Sequence, residues 1–299
     1  MNLPLHLAIG AFDGVHLGHR AVLHSAREAA RADGGIVGVL TYEPHPSKVL
    51  RPESAVPLIF TRAQKDERLT EAGAQLIHHE KFDRDHAGIE AADFPKWLKQ
   101  TFPNLKSLHV GSNFQYGRRR AGHGETLIAH GAAEGLGVRL VAAVRLGDET
   151  VSSSRIRQCL ASGDLGLANA MLLRPYEAES TIIGGRRLGR TIGFPTLNIA
   201  WEPELKPAYG VYAAEVIFRG EALPAVANYG LRPTVESGPV TPLLEAHVLR
   251  GPAPTTGDTV RVRWVRRLRA EQKFADLAAL QAQIAKDSEQ AKQALGLLG

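Results

Sequence analysis

Strand-like apolar runs in the first half of this chain are separated by stretches long enough for a helix, and in the second half only by Gly/Pro turns. Helical crossovers imply parallel strands with both faces covered, whereas tight turns imply antiparallel neighbours. At roughly 150 residues per domain, 299 residues divide into two domains of different architecture. The first holds predicted strands at Leu5–Gly10, Ile36–Tyr42, Gln75–His78, Ser107–Gly111 and Val138–Val144. Residues 18–32 read as a helix stopped by Gly34-Gly35, and Thr61 with Gln64 reads as a capping box. The second holds Val211–Phe218, Ala222–Asn228, Leu243–Leu249 and Thr259–Val265, an antiparallel barrel or sandwich. Leu277, Leu280, Ile284, Ala291 and Leu295 follow helical spacing, so a terminal amphipathic helix is expected on that layer. The junction is expected near Leu173-Arg174-Pro175, giving domains 1–173 and 174–299.

Composition narrows the function classes. Hydrophobic residues make up 44% and charged residues 22%, which excludes disorder and fibrous repeats. Mean hydropathy is −0.15, and no apolar run reaches the ~18 residues of a membrane span. The start, Met1-Asn2-Leu3-Pro4, lacks the basic-then-apolar pattern of a signal peptide. Cys159 is the single cysteine, which excludes intrachain disulfides and Cys-rich zinc sites and fits a reducing cytoplasm. The net charge of +5 fits nucleic acid or smaller anions such as nucleotide phosphates. The arginine clusters at 118–120, 186–187 and 261–269 lack interleaved aromatics, so no nucleic-acid partner is expected.

Ligands of parallel α/β sheets bind at the carboxyl ends of the strands. The first strand leads directly into Gly10-Ala11-Phe12-Asp13-Gly14-Val15-His16-Leu17-Gly18-His19. Spacing i, i+3 at a helix start puts both imidazoles on one face, and Gly18 lets a phosphate approach the backbone. Free amides and the helix dipole add to that attraction, and such a site stabilises charge on a pentacoordinate α-phosphate. The plainer alternative is a pair of surface or metal-binding histidines. The second strand leads into Glu43-Pro44-His45-Pro46, and the fourth into Ser112-Asn113-Phe114-Gln115-Tyr116-Gly117. Asn113 can bond a ribose or base; Phe114 and Tyr116 fit packing at least as well. Ser152-Ser153-Ser154-Arg155-Ile156-Arg157 offers hydroxyls and guanidinium groups to a triphosphate, or a helix cap with solvated arginines.

The second half contains no P-loop. It has Gly185-Arg186-Arg187-Leu188-Gly189-Arg190-Thr191-Ile192-Gly193-Phe194-Pro195-Thr196-Leu197-Asn198, with glycines every fourth residue that permit close approach to phosphate. Thr196 and Asn198, at i and i+2, point the same way in an extended segment. Their oxygens are hard ligands for a magnesium ion carried by ATP. Glu245 on a predicted strand is either a base or a solvated residue.

In family order, these motifs resemble the prokaryotic bifunctional riboflavin kinase/FAD synthetases over nearly the whole chain. The first module's motifs are Phe-Asp-Gly-Val-His-Leu-Gly-His, Pro-His-Pro, Gly-x-Asn-Phe-x-Tyr-Gly and Ser-Ser-Ser-Arg-Ile-Arg. The second's are the Gly-Arg-x-x-Gly-Phe-Pro-Thr-x-Asn block, Asn228-Tyr229-Gly230-Leu231-Arg232-Pro233-Thr234, Leu244-Glu245-Ala246-His247 and the tail from Arg269 to Phe274.

The resemblance implies a Rossmann-like nucleotidyltransferase domain followed by a six-stranded antiparallel riboflavin-kinase barrel with a terminal helix. It implies phosphorylation of riboflavin to FMN, then transfer of AMP from ATP to FMN with release of pyrophosphate. His16 and His19 then stabilise the ATP phosphates, with Gly10, Phe12, Gly18, His45 and Asn113 near the nucleotide and Ser152–Arg157 as a mobile phosphate-binding loop. Asp13, Arg232 and Arg269 contact flavin. Gly185, Gly189, Arg190 and Gly193 line the kinase phosphates, Thr196 and Asn198 hold Mg²⁺ with ATP, and Glu245 is the kinase base. Leu173 and Ser180 stand where this family commonly has glycine, and Gly184 where it has histidine. The expected partners are riboflavin, FMN and ATP, with no membrane and with the chain a monomer or weak homo-oligomer. A kinase that has lost adenylyl transfer and a flavin- or nucleotide-binding regulator without turnover are the competing functions.

Overall fold

The computed structural model describes residues 3–185, 193–231 and 242–297. They form two compact units, one ending at Ser153 and the other beginning at Ser154. In the first unit, β1 (Leu5–Ile9), β2 (Ile36–Glu43), β3 (Leu76–Lys81), β4 (Leu105–Gly111) and β5 (Gly137–Val141) form a parallel sheet in the order β3-β2-β1-β4-β5. The chain runs outward from β1 to β3, then returns to place β4 on the other side of β1. The crevice between the carboxyl ends of β1 and β4 is therefore the switch point at which ligands bind. The last predicted strand stops at Val141, short of Val144; a small ribbon of β6 (Arg145–Leu146) and β7 (Glu149–Thr150) follows.

Apolar residues cover both sheet faces, as a parallel sheet requires. Leu5, Leu7, Ile9, Leu108 and Val110 pack with Phe94 and Leu98 of α5 (Phe94–Thr101) and Leu127 of α6 (Gly124–Ala133). Ala8, Val37 and Val39 pack on the other side with Val22, Leu23 and Ala26 of α1 (Leu17–Asp33) and Leu69 of α3 (Arg62–Glu71). Helix α1 ends at Gly34, whose φ of 73° is left-handed and suits glycine. The Thr61–Gln64 capping box forms as expected. Between β3 and α5 lies the single-turn α4 (Arg84–Ala87), and α2 (Pro46–Leu50) follows β2.

One chain of polar groups, buried at His6, Ser107 and His109, crosses the second face. Asp33 accepts from His6 Nε2 at 3.0 Å, His6 Nδ1 lies 2.7 Å from Ser107 Oγ, Ser107 lies 2.9 Å from His109 Nε2, and His109 Nδ1 lies 2.8 Å from Ser25. Burial first, then the neighbouring His6 and Arg139, push the His109 imidazole down from 6.5 to about 4. The unfolded chain thus binds a proton here that the fold refuses between those values. Stability is complete above the unfolded value and is lost as pH falls towards 4, by about 3 kcal/mol in all. Amide protection factors of β1 and β4, which divide out the pH dependence of intrinsic exchange, should fall from pH 7 to pH 4.5 in the wild type and change much less in His109→Gln. An unchanged wild-type profile would refute this role.

The second unit is a closed barrel in the order β10-β11-β12-β9-β8-β13. Its strands are β8 (Tyr176–Ile183), β9 (Leu197–Ile199), β10 (Gly210–Phe218), β11 (Glu221–Leu231), β12 (Pro242–Val248) and β13 (Thr259–Arg269). This settles the choice between barrel and sandwich. Val260, Val262 and Trp264 point into the core, where Trp264 meets Tyr212 and Tyr229 at ring distances of 4.6 and 5.8 Å. Two helices, α7 (Ser153–Ser162) and α8 (Leu165–Leu172), precede the barrel. Asn169 of α8 donates to Trp264 O at 2.9 Å and accepts from Tyr176 N at 2.8 Å. The contact boundary at Ser153 therefore lies ahead of the junction expected near Leu173. Leu173 caps α8 with a left-handed φ of 60°, a conformation that glycine holds without strain.

The terminal helix α9 (Leu277–Ala294) starts at its Asp276 cap and packs Ala291 and Leu295 on Val211, Ala213 and Val226. Leu277, expected on its apolar stripe, stays 54% exposed. The seam instead carries Asp287, 2% exposed, whose carboxylate takes a bidentate pair from Arg269 at 2.8 and 3.0 Å. A buried carboxylate is tolerated there because the guanidinium neutralises and hydrogen-bonds it.

Candidate functional site

Among the carboxyl-end loops, the β1–α1 loop departs from ordinary backbone at two non-glycine residues. Phe12 and Val15 take φ of 49° and 39° although neither is glycine. Both side chains are 1% exposed, so the core over-determines a conformation that would otherwise relax. Asp13 is pinned at both ends: its Oδ1 accepts from Ile59 N at 2.9 Å and its carbonyl accepts from Ser153 Oγ at 2.7 Å. Asp13 is thus 5% exposed and braces the loop, where flavin contact was expected of it.

His16 is the N-cap of α1. Its Nδ1 accepts from Gly18 N at 3.1 Å and His19 N at 3.3 Å. The helix-end amides expected to be free for phosphate are in these two cases taken by the imidazole. Accepting at Nδ1 leaves the proton on Nε2, so the ring presents a donor on its far edge. His19 stacks on it with ring centroids 3.6 Å apart and planes at 16°. Phe12 closes edge-on at 5.2 Å. Burial, the neighbouring His16 and then Lys65 hold His19 well below the usual histidine range. Its Nδ1 is buried without a hydrogen-bond partner among the described residues. Gly18 leaves the room that the pair needs, since a Cβ there would sit 3.1 Å from the His16 ring.

A cavity of about 430 Å³ opens beside this loop and is lined by Gly10, His45 and Asn113. Three strand ends, of β1, β2 and β4, thus deliver three expected site residues to one space. The volume lies in the usual range for a small-molecule site. His45 caps α2 through Nδ1, which accepts from Ser47 N at 3.2 Å. Phe114 and Tyr116 stack at 5.9 Å, as packing residues do, and also line the cavity. Further walls come from Tyr42, Phe82, His86 and Phe94. His86 and Phe82 carry no local motif, and only the fold brings them here. Arg119 and Arg120 reach the same rim from a turn where both take positive φ; the sequence marks them only as a charge cluster. Ser152 precedes α7, whose first turns hold Ser153, Ser154, Arg155 and Arg157. The expected loop is thus continuous with a helix start.

In the barrel, Leu244 and Ala246 point inward at 0% exposure, which turns Glu245 outward. Strand register sets Glu245 opposite Asn228 on one side and Asn198 on the other. A carboxylate between two carboxamides forms a polar row on the outer barrel wall. Asn198 is 8% exposed, and a Cβ on Gly185 would lie 2.1 Å from its carboxamide nitrogen. Gly185 therefore packs backbone directly on Asn198. Thr196 is exposed just ahead of β9, and His247 donates from Nδ1 to Pro195 O at 2.8 Å, tying that segment to β12. Gly193, also exposed, takes a φ of 84° that glycine allows. Gly189, Arg190 and Arg232 lie outside the described residues. Arg269 is held by Asp287, away from the Glu245 row in the barrel order.

The FAD synthetase family matches residues 2–155 and the riboflavin kinase family matches residues 172–295. A bifunctional riboflavin kinase/FMN adenylyltransferase of Escherichia coli (strain K12) is 36% identical over 292 residues, covering 97% of this chain and 93% of that one. The chain belongs to the bifunctional riboflavin kinase/FMN adenylyltransferase family. A Bacillus subtilis (strain 168) member is 33% identical, covering 95% of this chain and 90% of its own. A solved structure, titled a macrolide-efflux protein from Streptococcus pneumoniae, aligns with a TM-score of 0.89 and 27% identity over 97% of this chain and 94% of that one. Both family matches follow the two-unit fold, one on the sheet and one on the barrel. Among the described residues no helix is long and apolar enough to cross a membrane.

Proposed function

We propose that this chain makes FAD from riboflavin in two ATP-dependent steps, with the sheet unit transferring AMP to FMN and the barrel phosphorylating riboflavin. The observation that carries this is the pairing of a whole-length bifunctional family match with two separate polar sites, one on each unit. Residues 1–173 and 174–299 are the proposed functional halves. Conversion of riboflavin to FMN and then FAD by the pure protein with ATP and Mg²⁺, followed by flavin chromatography, tests the reading directly. A protein that makes neither product overturns it.

In adenylyl transfer, an FMN phosphate oxygen attacks the α-phosphorus of ATP and the bond to pyrophosphate breaks. His16, through its Nε2–H, and His19 are placed to stabilise the negative charge of that transition state. Gly10, Phe12, Gly18, His45 and Asn113 hold the nucleotide around them, and Ser152–Arg157 with its hydroxyls and guanidinium groups takes the phosphates. The aromatic cavity walls suit a planar ring. In the kinase step, Glu245 accepts the proton of the riboflavin 5′-hydroxyl as that oxygen attacks the γ-phosphorus and ADP departs. Gly185, Gly189, Arg190 and Gly193 frame the phosphates, and Arg232 serves the flavin.

Thr196 and Asn198 fit a magnesium ion, because both offer neutral hard oxygens and the ion's remaining ligands come with ATP. Bound there, magnesium neutralises phosphate charge. Asn198→Ala should raise the Mg²⁺ concentration needed for riboflavin phosphorylation while FMN adenylylation keeps its own titration curve. Superimposable kinase titrations of variant and wild type would remove Asn198 from metal binding. Cys159, buried and in no disulfide, fits a cytoplasmic protein, and a monomer or weak homo-oligomer without nucleic-acid partners completes the proposal.

A further inference from the structure

Lys65 lies on α3, one turn beyond its Thr61 cap, and its side chain is 9% exposed. Taking a lysine ammonium out of water is costly, so its surroundings ask for an explanation. Among the described residues the one hydrogen bond of its side chain runs from Nζ to Thr41 Oγ1, at 3.2 Å. Thr41 lies in β2, 0% exposed, and its hydroxyl in turn donates to Ala11 O at 3.0 Å. The chain of donors therefore ends on the strained loop, between Gly10 and Phe12. Lys65 also borders a pocket of about 10 Å³, shared with Ala11, Asp13, Glu43 and His45. That is room for about one water molecule.

The charges facing Lys65 are Glu43, Asp66, Asp13 and Arg62, and none lies in an ion pair with it among the described residues. Burial lowers its affinity for the proton against the pull of those carboxylates. Its charge reaches His19, where it helps keep the imidazole neutral. The ammonium is thus tied, through Thr41, to the loop that carries the histidine pair. A charged donor makes a stronger hydrogen bond than a neutral one, which suits a link that must hold a strained backbone.

We propose that Lys65 is a positioning residue for adenylyl transfer: through Thr41 it fixes the Ala11 carbonyl, and so the distance at which the β1–α1 loop offers His16 and His19 to the triphosphate. The proposal rests on the adenylyltransferase reading of this unit. It treats Lys65, Thr41 and Ala11 as one mechanical link, and a link has a distinctive signature. Cutting it at either joint gives the same loss, and cutting it at both gives no more.

The test uses the full chain with Lys65→Met, Thr41→Val and both together, measuring kcat and KM for FMN adenylylation and riboflavin phosphorylation in each preparation. Misplacement of reacting groups by about 1 Å costs on the order of 10²-fold, so each single variant should lose about that much kcat for FAD formation. The double variant should match the singles, riboflavin phosphorylation should persist, and Thr41→Ser should recover most of the rate by restoring the hydroxyl. Amide-exchange protection of β1 and β4 identifies a variant that has merely unfolded; Thr41→Val, close in shape to the native residue, then carries the test. Wild-type kcat in Lys65→Met, or losses that multiply in the double variant, would overturn the link. A wild-type protein that forms no FAD would instead overturn the adenylyltransferase reading itself.

Discussion

Replacing both His16 and His19 by alanine is expected to abolish FAD formation and leave FMN formation intact. The stacked pair provides one ring fixed as a donor at Nε2 and a second ring held neutral against it. Each oxyanion-type contact removed typically costs about 2.7–4 kcal/mol, or 10²–10³-fold in rate, so the double variant should fall below detection. His16→Ala also removes the cap of α1, at a cost of about 0.5–2 kcal/mol of stability. His19→Ala keeps that cap and isolates the chemical contribution. Rates are read by chromatography after supplying FMN and ATP directly, and riboflavin phosphorylation in the same samples reports on the barrel. A double variant that makes FAD at the wild-type rate would remove the pair from the mechanism.

Glu245→Gln is expected to lower kcat for riboflavin phosphorylation by about 10²–10⁴-fold, the usual worth of a general base. The register places this side chain between Asn228 and Asn198, and glutamine keeps the shape and hydrogen bonding of that row. Affinity for riboflavin and ATP should change much less, because proton acceptance contributes in the transition state. Supplied FMN should still be adenylylated at the wild-type rate. Unaltered kcat for FMN formation in the Gln variant would return Glu245 to the role of a solvated strand residue.

Several elements were legible because their signal is local. The length of the connections separates parallel from antiparallel strands, since a helical crossover returns the chain in the same direction and a tight turn reverses it. The α1 helix with its glycine stop and the Thr61 capping box lie where side-chain type alone places them, and the five sheet strands form in the expected order, with β3 running on to Lys81 and β5 ending at Val141. The His-x-Gly-His spacing likewise foretold two imidazoles on one face, because three residues make nearly one helical turn. The stripe on α9 was legible only in part. Its pattern of leucines and alanines marks a helix but gives no weight to Asp287, whose burial depends on Arg269 from another element.

What the sequence by itself determined is the inventory: two architectures, the elements that repeat within a few residues, and the motifs carried at their ends. Tertiary structure decided everything that depends on separations too long for a periodic signal. β9 is only three residues long, from Leu197 to Ile199, and becomes a strand because β8 and β12 pair with it. The same pairing sets Asn198 beside Glu245. His86 reaches the cavity, and Lys65 reaches Thr41, because sheet order brings β3 and α3 alongside β2 and β1. Local patterning says which face of an element avoids water. Which elements share that face is settled only when the core closes and the packing of distant segments is complete.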